Sequence, residues 1–211
     1  MPKTLSPDDI RQFREAMRRV AEDAFATRGA QGVTMRELAK ELGCSAMTPY
    51  RYFRDKDEIL AMVRAAAFNR FAARIEAAAQ HPADHTRLAV SDAYVEFALD
   101  EPHAYRLMFD FAQPAGGYAE LDAASQRAWQ MLSEHFRQLV EARLLEGDPH
   151  LIGYAYWASL HGFTMLALAN QLPLPEAQQP AGHGGPTREA ILAQIRMMLW
   201  RGAQPRRAEE S

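Results

Sequence analysis

The chain has 211 residues, 48% hydrophobic and 24% charged, with a net charge of −3 and one cysteine. That length fits one domain, or a small module fused to a larger one, and buries a core unaided by disulfides or structural metal. The lone Cys44 excludes a disulfide framework and a cysteine-clustered zinc site. His81, His85, His150 and His183 form no metal-ligand spacing with a carboxylate or thiol, so no metal is expected, and no cofactor is expected either.

Helix signals occur throughout and strand signals hardly at all. Ser6-Pro7-Asp8-Asp9 supplies a cap residue, a proline at the first helical position and acids against the positive helix end. Ile10, Phe13, Met17, Val20, Ala24 and Phe25 then recur at helical period until Arg28-Gly29. Thr34-Met35-Arg36-Glu37 is a capping box opening a second helix that ends at Gly43. A very short third segment runs from about Ser45 to Phe53. Asp55-Lys56-Asp57-Glu58 caps a long fourth helix through Ala78, broken at His81-Pro82.

Further helices are predicted over Asp84–Asp100, Pro102–Phe111, Tyr118–Glu146, Pro149–Gln171 and Arg188–Trp200. Pro114 to Gly117 reads as a break, Pro173–Thr187 as a surface loop and Gly202–Ser211 as a frayed tail. The fold class is therefore all-α: three short helices in front, about six longer ones behind, about nine in total. Met1 to Asp9 is polar, which predicts no secretory leader. The apolar window Tyr154–Ala169 is too short for a membrane span. A cytoplasmic protein is expected.

Charge is distributed unevenly. Residues 1–60 hold 11 Lys and Arg against 10 Asp and Glu, whereas 61–211 hold 13 against 17. Bulk charge therefore does not argue for a polyanion partner, and the argument must come from a local segment.

That segment is 35–54. Two short helices joined by a glycine turn pack crosswise, with small Ala39 at the crossing and Leu38, Leu42, Cys44, Pro49 and Tyr52 as anchors. This is helix-turn-helix spacing, in which the second helix enters the major groove; ordinary helical corners share it. The neighbouring Ser45-Ala46-Met47-Thr48-Pro49-Tyr50-Arg51-Tyr52-Phe53-Arg54-Asp55-Lys56 gathers hydroxyl, guanidinium and ammonium groups of the kind that grip phosphates. Here the sequence resembles the TetR family of bacterial transcription regulators, on Thr34, Gly43, Ser45, Thr48, Tyr50, Phe53 and Lys56. It departs from that pattern at Met47, where glycine is usual, and at Pro49, where leucine or isoleucine is usual. The third helix starts either at Ser45, with Pro49 at its margin, or at Thr48-Pro49, and is then shorter.

The resemblance implies a helix-turn-helix DNA-binding domain over 1–55 and a helical effector-binding and dimerisation domain over 56–211. It assigns phosphates to Thr34 and Lys56, with Ser45 in the same interface. Thr48, Tyr50 and Tyr52 face the groove wall, and Met47, Pro49 and Arg51 are the candidates for base edges. Tyr52 fits an anchor slot as well as a phosphate contact, and Phe53 fits core.

Tyr105 to Phe109 and Trp157-Ala158-Ser159-Leu160-His161-Gly162 resemble the subgroup named for a Trp-x-x-x-His-Gly signature. Tyr94, Phe97, Met108, Phe109, Trp129, Phe136, Tyr154, Trp157, His161 and Met165 are candidates to line an effector pocket; an aromatic stripe at this spacing is more often the mark of plain core. Tyr154–Ala169 and Ile191–Trp200 are apolar on more than one face, which suits a four-helix interface between two copies. The function expected is a dimeric, ligand-responsive DNA-binding regulator: a repressor released from double-stranded operator DNA by a small, largely apolar effector. The alternative is a helical dimeric adaptor that binds protein and not DNA. No nucleophile elbow, metal-ligand motif or glycine-rich phosphate loop suggests an enzyme.

Overall fold

The computed structural model describes residues 6–80, 83–109, 117–178 and 185–205. Among these are eight α-helices: α1 Pro7–Arg28, α2 Met35–Glu41, α3 Lys56–Ala79, α4 Ala83–Asp100, α5 Pro102–Phe109, α6 Ala119–Glu141, α7 Pro149–Leu168 and α8 Arg188–Gly202. Two 3-10 turns, Pro49–Arg51 and Glu176–Gln178, complete the described secondary structure. The fold is all-helical, as expected. No described helix is long and apolar enough to cross a membrane. The expected breaks at His81-Pro82 and Pro114–Gly116, and part of the Pro173–Thr187 loop, lie outside the described residues.

The chain divides into two packing units. The front unit holds α1, α2, the 3-10 turn at Pro49, α3 to Ala72, α5 and α6 to Ala128; the rear unit holds the end of α3, α4, the rest of α6, α7 and α8. In the front unit α1 packs on α2 and α5. Met17, Phe25, Val33, Leu38, Phe53 and Ile59 join in one buried cluster. Each such side chain contributes about 1.5–3 kcal/mol by leaving water, against about 1 kcal/mol for a typical cap. Caps fix where the helices begin: Ser6 and Asp9 form a reciprocal box on α1, and Thr34 and Glu37 do the same on α2.

In the rear unit α7 packs on α4 and α8. Phe136, Leu139 and Leu145 form a buried cluster against Ile152, Tyr156 and Trp200. Two helices stop earlier than their apolar periodicity suggests. α6 ends at Glu141, not Glu146, because Arg143 takes φ +55° and the amides of Arg143 and Leu144 turn back to the carbonyls of Val140 and Leu139. α7 ends at Leu168 by the same device, with Asn170 at φ +54° and the Gln171 amide on the Leu166 carbonyl. Both are Schellman closures made without glycine. Conversely, α8 continues to Gly202, which the sequence places in the tail.

The largest departure is the third front segment. It is not an α-helix. A turn closed by the Thr48 amide on the Ser45 carbonyl (2.9 Å) leads into the single 3-10 turn Pro49–Arg51. A helix begun at Ser45 would need the next bond from residue 49 to that carbonyl, and proline has no N–H to make it. The chain therefore closes tighter turns, Arg51 to Thr48 and Tyr52 to Pro49, and the shorter of the two sequence alternatives is realised.

Candidate nucleic-acid interface and rear cavity

The front site is built on the corner between α2 and the 3-10 turn. Gly43 adopts φ +73° and completes another Schellman closure, with its amide on Lys40 and the Cys44 amide on the Ala39 carbonyl. A Cβ at Gly43 would meet nothing within 4 Å, so glycine is required there by backbone conformation and not by space. Beyond it the chain projects outward. Met47 is 70% exposed and Tyr50 51% exposed, and Arg51 is exposed beside them. Ser45 and Thr48 hydroxyls hydrogen-bond one another at 2.9 Å.

Other expected contacts are committed elsewhere. Pro49 is buried, so it serves as an anchor and presents no surface to a base edge, which corrects its place among the base readers. The Tyr52 ring stacks on Phe13 with centroids 3.9 Å apart, and its carbonyl accepts from Arg14. The anchor role therefore describes the ring of Tyr52. Phe53 is buried with the Arg14 guanidinium 4.6 Å above its ring, and so belongs to the core. The Thr34 hydroxyl donates to Glu37 at 2.7 Å within the capping box, and this holds the Glu37 carboxyl below the usual carboxylate range. Lys56 donates to the Ala30 carbonyl at 2.6 Å, tying the start of the α1–α2 connection to the start of α3. An ammonium has three protons, so two remain for another acceptor.

Pairing separates the cations of this unit into two groups. Arg14, Arg18, Arg28, Arg54 and Arg70 all hold carboxylates. Exposed Arg36, Lys40 and Arg51 make no ion pair among the described residues. Behind the corner, Glu58 gathers the Arg54 amide (2.8 Å), the Arg54 guanidinium and Arg14 (both 3.3 Å). Burial alone would push its carboxyl up; these hydrogen bonds outweigh that and hold it below the usual range. Arg54 also lies over the Tyr118 ring and reaches the Gly117 carbonyl, which fixes the segment after the 3-10 turn. The result is a rigidly backed tip with exposed apolar, phenolic and unpaired cationic groups.

The rear unit contains a small cavity of about 20 Å³, room for one water. Of the sequence candidates for an effector pocket, Tyr94, Phe136 and Trp157 line this small cavity. The other candidates do not. Phe97 is buried elsewhere. Met108 and Phe109 belong to the front unit, where Phe109 sits edge-on to Phe68 and Tyr105. Trp129 stacks on half-exposed Tyr154 at 4.1 Å, and His161 and Met165 are half-buried outside the cavity wall. Gly162 is exposed, and a Cβ there would meet nothing within 4 Å, so no described helix of the same chain approaches it.

Sequence reasoning missed His135, Ser91, Tyr156 and Trp200, which also line the cavity. A signal existed for one of them: Leu132, His135, Phe136 and Leu139 share one face of α6 at helical spacing. His135 is 4% exposed, and burial pushes its imidazole down to about 4, so it is neutral at pH 7. No group of His, Cys, Asp and Glu able to hold a metal occurs among the described residues.

Residues 18–63 match the family described as bacterial regulatory proteins, tetR family, and residues 87–182 match the tetracyclin repressor-like C-terminal domain. No curated protein matches the chain. Among solved structures it is similar to a protein of unknown function from Rhodococcus sp. RHA1, at 24% identity over 97% of this chain and 100% of that one, TM-score 0.75. It is also similar to a bacterial regulatory protein in the tetR family from Rhodococcus RHA1, at 17% identity over 92% and 98%, TM-score 0.63. AibR, solved in complex with isovaleryl coenzyme A and operator DNA, aligns at 16% identity over 89% and 97%, TM-score 0.63. At these identities the structural likeness speaks to fold.

Proposed function

Since the chain belongs to the tetR family of bacterial regulatory proteins, we propose that it is a homodimeric repressor that leaves its operator when a small, largely apolar effector binds. The observation that carries the DNA reading is the tip at Met47, Tyr50 and Arg51: large apolar and phenolic side chains held in water beside cations with no ion partner among the described residues. An exposed methionine is unfavourable in water and favourable against a thymine methyl in the major groove. Ser45, Thr48 and Lys56 flank the tip as phosphate contacts. Thr34 contributes by capping α2, whose first turn points its amides toward a neighbouring phosphate. Residues 1–55 act on DNA in this reading and 56–211 on effector and partner, although α3 to Ala72 packs with the front helices. The protein then works in the cytoplasm, where its DNA is.

Dimerisation through α7 and α8 is supported by what they leave uncovered. On α7, Leu151, Tyr154, Ala155, Ala158, Gly162 and Leu166 form an exposed stripe, with Leu151 at 69% and Leu166 at 48%. α8 has no buried residue, and its Met198 is 64% exposed. Small residues at 155, 158 and 162 suit close approach by a second copy, and two linked tips read two half-sites. The Trp157, His161, Gly162 constellation keeps the subgroup resemblance as part of this reading, with Gly162 serving the partner's approach. In this reading the effector site lies among α4, α6, α7 and α8 and widens on binding, since the space there now holds no more than one water.

Selection of bound duplexes from a random pool by the full chain tests the reading. The expected result is an enriched near-palindrome whose binding weakens with salt, by a slope of about −0.9 per neutralised phosphate. No enrichment and no salt slope would mean a protein-binding adaptor instead.

A further inference from the structure

Charged side chains of alternating sign join α1, α3 and the start of α5 within the front unit. Glu15 and Arg18 pair on α1, and Arg18 also holds one oxygen of Glu22. The other oxygen of Glu22 accepts from the Arg70 guanidinium of α3 at 2.5 Å. The Nε of Arg70 donates to Glu101 at 2.9 Å, and the terminal nitrogen that meets Glu22 lies 2.8 Å from the same Glu101 carboxylate. Glu101 immediately precedes α5, and its carbonyl accepts the Tyr105 amide. One planar group thus bridges carboxylates on α1 and at the start of α5. The compact ammonium of a lysine lacks the fork that makes such a bridge.

A second tie between α1 and α3 lies beside the tip. Arg14 pairs with Glu58 at 3.3 Å, donates to the Tyr52 carbonyl and covers the Phe53 ring. Arg14 and Glu22 are about 12 Å apart along α1, and Glu58 and Arg70 about 18 Å apart along α3. A single tie is a pivot, whereas two ties at separate points fix an angle. The tip follows α1, since Phe13 stacks on Tyr52 and α1 packs on α2. Loosening Arg70 therefore keeps the pivot and the apolar cluster and lets the far half of α1 shift against α3. Side-chain exposures of 36% for Arg70, 22% for Glu22 and 35% for Glu101 leave the bridge partly in water. Ion pairs so placed add little to stability, and what the bridge contributes is geometry.

We propose that Arg70 is a positioning residue for DNA recognition: it fixes the angle at which α1 carries the corner and the tip, and so sets the preference for operator over other duplexes. The inference rests on the DNA-binding reading. Base edges are read by a few side chains held at hydrogen-bond range, so a change of angle costs those contacts first. Attraction of cations to phosphates is longer-ranged and tolerates the change. The bridge therefore acts on the ratio of operator to non-operator affinity and hardly on non-operator affinity itself.

The test uses the full chain, an operator duplex recovered by selection from a random pool, and a scrambled duplex of the same composition, all at fixed salt. Arg70→Lys keeps the charge and loses the bridge. It is expected to lower the affinity ratio about fivefold to tenfold and to change scrambled-duplex affinity by less than about twofold. Glu101→Gln should do the same, and the double variant no more than either single change, because each breaks the same bridge. Arg74 is the control: it spans Glu96 and Asp100 in the rear unit, and Arg74→Lys should leave the ratio unchanged. A ratio retained by Arg70→Lys, with only the thermal midpoint lowered, would overturn the proposal, as would an equal fall in Arg74→Lys. Equal losses on both duplexes would overturn it too, since they would make Arg70 a phosphate contact. If Arg70→Lys does not fold, Glu101→Gln, which leaves the guanidinium on Glu22, decides alone. An unmodified chain that prefers no duplex removes the DNA reading and this inference with it. A preference that Arg70→Lys retains removes this inference alone.

Discussion

The two sites are built on opposite principles. At the front, a 3-10 turn of three residues thrusts Met47 and Tyr50 into water, and ion pairs and caps behind it hold the turn in place. At the rear, long helices fold their polar atom inward, so that His135 is 4% exposed within an aromatic shell. The front site is specified by residues close together in sequence; the rear one is specified by α4, α6, α7 and α8 meeting in space. A surface reader of a charged polymer needs projection and rigidity.

The largest way to break that comparison is at the tip. Tyr50→Ala with Arg51→Ala is expected to weaken operator binding by about two orders of magnitude or more and to lower the salt slope by about one for each phosphate no longer gripped. Far-ultraviolet dichroism and the oligomeric state should stay unchanged, because neither side chain is part of the core. Retained affinity would separate the tip from the function assigned to it.

The next largest effect belongs to the rear. The folded His135 imidazole lies at about 4, below the value near 6.5 of an unfolded chain. Above pH 6.5 both states are neutral and the group contributes no pH dependence. Between 6.5 and 4 the unfolded state takes a proton that the folded state refuses, so stability falls as pH falls, by on the order of 3 kcal/mol in all. Denaturant unfolding across that range should therefore be flatter for His135→Phe than for the unmodified protein. Parallel curves would mean the imidazole is hydrated when folded.

Smaller changes sharpen the contrast. Gly43→Ala forces a non-glycine residue to φ +73° and is expected to cost about 1–2 kcal/mol of stability, with no clash to add to it. Thr34→Ala removes the α2 cap and should cost about 1 kcal/mol, measured by thermal unfolding. Arg36→Ala is the mildest: it breaks no ion pair among the described residues, and it should reduce operator affinity a few-fold through loss of one long-range charge while leaving stability intact. The opposite pattern, with stability lost and affinity kept, would place Arg36 with the paired structural arginines.

How much of this was legible in the residues follows from the same contrast. Ser6, Thr34, Glu37 and Gly43 announce helix ends because capping is decided within four residues of chain, and the structure carries all four roles. Pro49 announced a short third segment for an equally local reason, the missing N–H. What the spacing of anchors could not tell was that Pro49 itself would be buried while its neighbours stand free. The cavity was legible only in part. Apolar residues surround much of α7, so periodicity does not choose a face; Tyr154 turned outward and Trp157 inward, one turn apart. The ends of α6 and α7 escaped because Arg143 and Asn170 adopt the left-handed conformation that glycine would have flagged.

Cys44 gives the chain a practical use for its sparse sulfur chemistry. It is the single thiol in the sequence, half-buried, one residue beyond the Gly43 turn and beside the tip. A nitroxide attached there needs no engineered site, and a symmetric pair would report one spin–spin distance by pulsed paramagnetic resonance. A distance shortening or lengthening as operator is replaced by a bound small molecule would turn that sulfur into a ruler for the gap between successive major grooves, about 34–36 Å on straight duplex.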